Sequence, residues 1–339
     1  MDPLTHALTS LAAARAARKR LPRFGVWIVV AAGLSPGLDA ASVWIGAAAY
    51  LRLHLGLLHG ILGAPLLACI IAASACSVAR RIPSKENSPP LRFLPALAAA
   101  TLGVSLHLAL DYLSGPGVMF LWPFRLRWWG CELVQNFDPW LLAVLVAGIL
   151  IPELVSMVGE EIGERKQGPR GRVAALTTLV LITGYLGFRA ELRARAINLL
   201  MSSDYHHRAP LEADAFPMSA NPFSWRGVVS TDNTIEEVFV PVGQPDEFDS
   251  DHSLSYYKPA NSLPLQAAED TRAAKQFLAY ARFPLVNVEE SHSGWTVTLR
   301  DLRFSPADPG PENIIAVVQF NNIGQVQSSA LEFSSGSSR

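Results

Sequence analysis

The stretch FLPALAAATLGVSLHLALDYL, residues 93–113, decides the fold: it is apolar apart from His107 and Asp111. A run of this length can cross a bilayer as an α-helix. His107 and Asp111 are four residues apart, so in a helix their side chains lie on one face, one turn apart. An imidazole nitrogen and a carboxylate oxygen at that spacing can bind one metal ion. A hydrogen-bonded pair that steadies a helix bundle would show the same spacing, so the pair alone leaves both interpretations open.

The composition predicts a membrane domain followed by a soluble domain. Residues 1–195 carry 19 Lys and Arg against 11 Asp and Glu, a net charge of +8, whereas residues 196–339 carry 9 against 18, a net charge of −9. An apolar, basic half before an acidic, polar half is typical of this arrangement. We therefore predict a polytopic membrane domain over residues 1–192 and a soluble domain over residues 193–339. The sequence shows no basic patch with interleaved aromatic residues, so nucleic acid is not an expected partner.

Six apolar segments are predicted to form a helical membrane bundle, and the first is short. Residues 3–17 would rise only about 22 Å as a helix, less than a bilayer is thick. The other five segments are residues 24–51, 53–79, 93–113, 139–158 and 173–188. Lys and Arg concentrate in cytoplasmic loops, so the basic stretches 15–23, 80–92 and 159–172 are predicted to face the cytoplasm. This topology predicts a multi-pass protein of the cell membrane with a non-cytoplasmic soluble domain.

Seven ionisable residues then fall at one membrane level, at the non-cytoplasmic ends of their helices. In chain order they are His6, Asp39, His54, His59, His107, Asp111 and Asp138. Ionisable residues within a membrane are costly and usually functional. Their common level favours one shared metal site over seven separate core contacts.

The second half of the chain predicts a mixed, mostly β domain. Alternating polar and apolar residues indicate strands. The predicted strands are 295–304, 314–320 and 326–333, with weaker ones at 223–230 and 235–240, and an amphipathic helix is predicted over 266–281. We expect His206 and His207 in a surface loop, because adjacent residues rarely face one ion. Arg300, Asp301 and Arg303 are expected to form a charge pattern on a sheet face.

The same residues carry a family resemblance. The segments in question are Met1-Asp-Pro-Leu-Thr-His6, Ser35-Pro-Gly-Leu-Asp39, His54-Leu-Gly-Leu-Leu-His59, His107-Leu-Ala-Leu-Asp111, Trp122-Pro-Phe124 and Phe137-Asp-Pro139. In this order they resemble the YdjM-type family of membrane-bound proteins, to which a metal-dependent hydrolase activity is ascribed. The second half is similar to the C-terminal extension of longer members, through Asn221-Pro-Phe-Ser-Trp225, Arg282-Phe-Pro284 and Asp301-Leu-Arg-Phe304. The resemblance spans most of the chain and implies a bound metal and a hydrolytic reaction.

The chain departs from the family pattern at four positions. Gly37 stands where the pattern Pro-Asp-x-Asp has its first Asp. Leu55 and Leu58 replace an Arg and a Thr between the paired His residues, and Gly60 replaces the Ser after them. One carboxylate and several polar neighbours of the expected site are therefore missing.

A metal-dependent hydrolase is the function that these observations favour. The predicted ligands of one or two divalent ions, with zinc as the expected metal, are His6, Asp39, His59, His107, Asp111 and Asp138. Such an ion would lower the pKa of a bound water and polarise the scissile bond. Asp138 or Asp39 is the predicted general base, and His54 is expected to support the ligands. A site at lipid depth suggests membrane lipid as a partner and an ester or phosphoester of a lipid-like molecule as substrate.

Two other functions stay open at this stage. Chains of His and Asp within a membrane also relay protons or carry ions, as in transporters, although no internal repeat is evident here. A non-catalytic membrane scaffold with a structural metal is the third possibility, and the missing carboxylate at Gly37 is compatible with it.

Overall fold

The computed structural model describes the chain except residues 84–88, 162–169, 219–220, 261, 293, 305–309 and 335–339. Parts of two basic loops predicted to face the cytoplasm, 80–92 and 159–172, thus lie outside the described residues. The chain forms two compact units. The first comprises residues 1–39 and 55–190, and the second comprises residues 40–54 and 191–339.

The predicted combination of a helical membrane part and a mostly β part is confirmed. The helices of the first half are α1 (Pro3–Ala17), α2 (Gly25–Leu34), α3 (Ala47–Leu53), α4 (Gly63–Arg81), α5 (Phe93–Leu113), α6 (Pro139–Glu161) and α7 (Arg170–Met201). Among the described residues, five stretches are long and apolar enough to cross a membrane: Gly25–Ile45, Gly63–Arg81, Phe93–Leu113, Pro139–Met157 and Gly171–Met201. Together with the short helix α1, these five stretches make six segments, which is the number predicted from the sequence.

The start of α1 follows from its sequence. Asp2 is the N-cap, and its Oδ1 accepts a hydrogen bond from the backbone N–H of Thr5 at 2.9 Å. Pro3 follows at the first helical position, where its missing N–H costs nothing. This cap fixes the first turn of the helix, from which His6 projects into the interior.

The second apolar segment does not continue as one α-helix. After Leu34 the chain tightens into a 3₁₀ helix, Ser35–Ile45. Pro36 has no N–H to donate to the preceding turn, which disfavours a regular α-helix at this point. Asp39 lies within this 3₁₀ helix and is buried.

Small residues allow the helices of the first unit to approach closely. A Cβ atom added at Gly103 of α5 would lie 2.3 Å from the backbone oxygen of Val29 and 2.8 Å from the Cβ of Ala32, both in α2. A Cβ added at Gly33 would lie 1.9 Å from Ser10 Oγ of α1. Close packing through glycine and alanine is common between membrane helices. It brings the end of α2 next to His107, one turn beyond Gly103.

We expect Gly103→Ala to lower the free energy of unfolding by about 1–3 kcal/mol, because the new methyl group meets backbone and cannot be accommodated without separating α2 from α5. Gly184→Ala in α7 is the matched control, since an added Cβ there meets no atom within 4 Å in the part of the chain that the structure describes, apart from its own helix. Denaturant unfolding of the purified protein in detergent measures both. Equal stability of the two variants would contradict this packing.

The second unit contains two antiparallel sheets. Strands β1 (Glu212–Pro217), β2 (Ser224–Ser230), β3 (Thr234–Pro241) and β4 (Leu254–Tyr257) form the first in sequence order; β5 (Pro284–Ser291), β6 (Gly294–Asp301), β7 (Ile314–Asn321) and β8 (Val326–Phe333) form the second. The five predicted strands correspond to β2, β3, β6, β7 and β8, whereas β1, β4 and β5 were not predicted. The end of α7 supplies Leu192, Ala196 and Leu200 to a core around Trp225.

The helical prediction for this unit was partly wrong. Residues 266–281 do not form one helix but parts of two, α8 (Leu263–Glu269) and α9 (Arg272–Tyr280). Thr271 begins α9 as its N-cap and accepts a hydrogen bond from Ala274 N at 3.3 Å. A hydroxyl at the N-cap satisfies a backbone donor that a continuous helix would have satisfied internally.

The prediction of a charge pattern on a sheet face was also wrong for Asp301 and Arg303. Both are buried, and Arg303 Nε donates to Asp301 Oδ2 at 2.7 Å. The strand ends at Asp301, so Arg303 lies in the turn beyond it and no longer follows the alternation of the sheet. The prediction for His206 and His207 is confirmed: both are exposed, between Tyr205 and Arg208.

Candidate metal centre

The carboxylate of Asp111, near the end of α5, is the centre of the candidate site. Its Oδ1 lies 3.1 Å from His6 Nε2 and 2.7 Å from the amino nitrogen of Met1. Its Oδ2 lies 3.0 Å from His107 Nε2 and 3.1 Å from His59 Nε2. One buried carboxylate therefore contacts three imidazole rings, which come from α1, from the turn before α4, and from α5 itself.

The ring of His107 is oriented by the backbone of α2. Its Nδ1 donates to the backbone oxygen of Gly33 at 2.6 Å. In a neutral imidazole only one nitrogen carries a proton, so this bond leaves Nε2 with a free lone pair. That lone pair faces Asp111, and the ring stacks on His6 with the centroids 3.7 Å apart. A bare nitrogen next to a carboxylate oxygen is repulsive unless a cation or an additional proton lies between them.

His59 links Asp111 to a second carboxylate. Its Nδ1 lies 2.9 Å from Asp39 Oδ2, while its Nε2 lies 3.1 Å from Asp111 Oδ2. A neutral imidazole can donate to only one of the two carboxylates. Because Asp39, His59 and Asp111 are all buried, the two carboxylates need a compensating positive charge, either on the imidazole or from a bound cation.

The donor set fits a divalent metal. His6, His107 and Asp111 each offer one ligand atom, and these atoms lie within 4.8 Å of one another. Two imidazoles and a carboxylate are the ligand types of a catalytic zinc site, and a backbone carbonyl behind one imidazole is a common support. The Nδ1 atom of His6 is buried and has no hydrogen-bond partner among the described residues. A buried polar atom of this kind is open to one more polar partner.

Asp138, predicted as a ligand or general base, begins α6. Its Oδ1 accepts hydrogen bonds from the backbone N–H groups of Trp140 and Leu141 at 3.0 and 2.9 Å, which is a helix N-cap. Its Oδ2 accepts a hydrogen bond from the hydroxyl of Tyr185 at 2.9 Å. Both oxygens thus have structural partners, and a role in metal binding or catalysis stays a prediction.

His54, predicted to support the ligands, belongs to the second unit. Its ring packs on Tyr50, with the centroids 4.5 Å apart. Its supporting role stays a prediction.

Several contacts of the site residues were not predicted from the sequence, among them those with the amino nitrogen of Met1, the backbone oxygen of Gly33 and the hydroxyl of Tyr185. The pattern of side chains in the sequence cannot predict a contact made by the backbone oxygen of Gly33. A glycine in an apolar segment does, however, indicate close packing of helices. The hydroxyl of Tyr185 lies in the last apolar segment, where a polar group can indicate an internal partner.

Gly37, where the family pattern has its first Asp, lies next to the candidate site. A Cβ atom added at Gly37 would lie 3.6 Å from His107 Cε1, which is an ordinary van der Waals distance, and among the described residues beyond its own helical turn it would meet no other atom within 4 Å. The residue that departs from the family pattern is therefore next to one of the candidate ligands. Space exists there for a side chain.

Comparison with known proteins gives one match. The sequence model described as YdjM inner membrane protein matches residues 1–196, more than half of the chain and the part that contains the candidate metal centre. No curated protein and no solved structure matches significantly.

Proposed function

The chain belongs to the YdjM inner membrane protein family, and from that premise we propose that it is a membrane-bound, metal-dependent hydrolase acting on an ester or phosphoester of a lipid-like substrate. One observation carries the proposal. Three buried imidazoles converge on the carboxylate of Asp111, and His107, whose Nδ1 donates to Gly33, has in its neutral form a lone pair on Nε2 that faces this carboxylate. The ammonium group of Met1 supplies one positive charge to Asp111 Oδ1, and a bound cation would compensate the rest of the cluster.

His6, His107 and Asp111 are the residues that would hold the ion, for which zinc is our proposal. Their nitrogen and oxygen donors suit zinc and the neighbouring transition metals. When bound, the ion would lower the pKa of a water molecule and polarise a carbonyl or phosphoryl oxygen. The backbone oxygen of Gly33 would keep His107 in the tautomer that a ligand needs.

The remaining site residues position Asp111 and accept protons. His59 holds Asp111 through Nε2 and Asp39 through Nδ1, which fixes the orientation of both carboxylates. Asp39 is our preferred general base, because Asp138 already caps α6 and binds Tyr185. A carboxylate in contact with an imidazole can pass the proton it takes up to that ring.

The location of the site supports a lipid-like substrate. His107 and Asp111 belong to a stretch long and apolar enough to cross a membrane, so the site is reached from lipid more readily by an amphiphile than by a polar metabolite. We therefore propose membrane lipid as the partner, and we place the site and the second unit on the non-cytoplasmic side, as the basic loops suggest.

Metal analysis of the purified full-length protein tests the proposal. We expect about one equivalent of zinc in the wild type and an affinity at least about tenfold lower in His107→Ala. His252→Ala is the matched control, because His252 is exposed and paired with Asp249 in the second unit. Hydrolysis of 4-nitrophenyl esters and of bis(4-nitrophenyl) phosphate should stop on chelation and return with zinc. A wild-type protein without stoichiometric metal would contradict the proposal.

The carboxylate–imidazole–carboxylate chain of Asp39, His59 and Asp111 also favours a second candidate, a transporter with an ion relay. Proton or cation flux in vesicles, in the absence of hydrolysis, would support it. A structural metal in a scaffold is the third candidate, and it would show four protein ligands around the ion with no open position.

A further inference from the structure

The loop between α5 and α6, residues 114–138, forms a hairpin beside the candidate metal centre. Val118 and Trp129 exchange two backbone hydrogen bonds of 2.8 and 3.0 Å. Two further backbone bonds attach the hairpin to the turn that carries His59: Met119 N donates to Leu55 O, and Ile61 N donates to Phe120 O, both at 2.8 Å. The hairpin is therefore held against the segment of a site residue.

The tip of this hairpin, Phe124-Arg-Leu-Arg127, combines exposed apolar side chains with exposed cations. Phe124 is 72% exposed and Leu126 is 46% exposed. Arg125 and Arg127 are exposed and have no ion-pair partner among the described residues; Arg127 only lies over the ring of Trp129, at 5.7 Å. In water such a tip would leave apolar surface uncovered, whereas at a membrane interface the apolar side chains enter the lipid and the guanidinium groups stay at headgroup level.

The exposed charged residues of the loop 114–138 are both positive, Arg125 and Arg127. The loop contains two acidic residues, Glu132 and Asp138, and both are buried. The two arginines therefore dominate its surface. In the topology that places the basic loops 80–92 and 159–172 in the cytoplasm, this loop lies on the other side, where the positive-inside rule gives no reason for arginine. A ligand for these guanidinium groups supplies that reason.

We propose that Arg125 and Arg127 bind the phosphate of an anionic phospholipid headgroup, with Phe124 and Leu126 inserted among its acyl chains. Arginine binds phosphate oxygens with two parallel hydrogen bonds, and two arginines separated by one residue can share one headgroup. The occupant is a lipid of the bilayer rather than free phosphate, because the apolar residues alternate with the arginines. This inference rests on the proposed function, and it narrows the proposed substrates to anionic lipids that carry a phosphate group.

Fluorescence quenching by brominated lipids tests the inference on the full-length protein. Trp122, Trp128 and Trp129 lie in or beside the hairpin and serve as probes. In phosphatidylcholine vesicles, we expect acyl-brominated phosphatidylglycerol to quench these tryptophans with about tenfold preference over brominated phosphatidylcholine. The double variant Arg125→Gln/Arg127→Gln should reduce the preference to within about twofold, since each arginine near an anionic headgroup contributes up to about fivefold.

Two further variants complete the experiment. Arg80→Gln/Arg81→Gln, at the end of α4, removes the same charge from exposed positions and should leave the preference unchanged. Arg125→Lys/Arg127→Lys keeps the charge but loses the bidentate geometry and should retain an intermediate preference. Absence of a preference in the wild type, or its survival in the Gln variant, would overturn the inference. Because quenching is measured with chelator present, a failure to bind metal would leave this result unaffected.

Discussion

Asp111→Asn is expected to abolish stoichiometric metal binding and to lower kcat/KM by about three orders of magnitude. Together, the two oxygens of Asp111 contact the rings of His6, His59 and His107. An amide of the same shape offers one oxygen, and it places an NH₂ group where the other carboxylate oxygen was. A metal ion contributes several kcal/mol of transition-state stabilisation, and each 1.36 kcal/mol corresponds to a factor of ten in rate.

Zinc content by mass spectrometry, together with hydrolysis of bis(4-nitrophenyl) phosphate, measures this effect. Asp249→Asn is the matched control: Asp249 also pairs with a histidine, His252 at 2.6 Å, but both are exposed in the second unit. That variant should keep its metal and its activity. An Asp111→Asn protein that retains one equivalent of zinc would show that the three imidazoles bind metal without the carboxylate, or at another site.

Much of the membrane part could be predicted from the sequence because the bilayer imposes a simple rule. A span must be apolar, of sufficient length and internally hydrogen-bonded, so hydropathy alone locates α5 and α6 to within a few residues. It is less accurate for α4, which begins only at Gly63 although the predicted segment begins at residue 53. The four-residue spacing of His107 and Asp111 then fixes their common face. The contact between His107 Nε2 and Asp111 Oδ2 at 3.0 Å is a direct consequence of that spacing.

The rest of the site depends on tertiary packing that no local pattern contains. Which ring nitrogen of His107 is free depends on the carbonyl of Gly33, and that carbonyl reaches the ring only because Gly103 lets α2 approach α5. Asp138 illustrates the opposite effect. Its place at a helix start made it look like one more ligand at the common level, yet an Asp before Pro139 is also an ordinary N-cap.

The second unit shows the same division between local and tertiary signals. Strands with regular alternation, such as β6 and β7, could be predicted, whereas β5 could not, because its exposed Glu289 and Glu290 weaken the pattern. The break between α8 and α9 depends on the hydroxyl of Thr271, a single cap within an otherwise helical pattern.

Gly37→Asp is expected to tighten metal binding by about 100-fold. The family pattern has a carboxylate at this position, and a side chain there would start 3.6 Å from the ring of His107 without a clash. The backbone at Gly37 is not left-handed, so an L-residue can be accommodated in the 3₁₀ helix. Another anionic ligand offsets the positive charge of the ion. Outer contacts alone alter metal affinity by 10–100-fold, and a direct ligand should reach the upper end of that range.

Gly37→Asn separates charge from shape in this experiment. It fills the same space with a neutral amide, so we expect at most a small gain in affinity, and both variants should unfold at similar temperatures. Competition with a zinc chelator of known affinity measures the two dissociation constants relative to wild type. If Asp and Asn at position 37 bind zinc equally well, the gain is due to packing and the added carboxylate does not reach the ion. If neither tightens binding, a side chain at position 37 does not reach the ion, and the expectation is wrong.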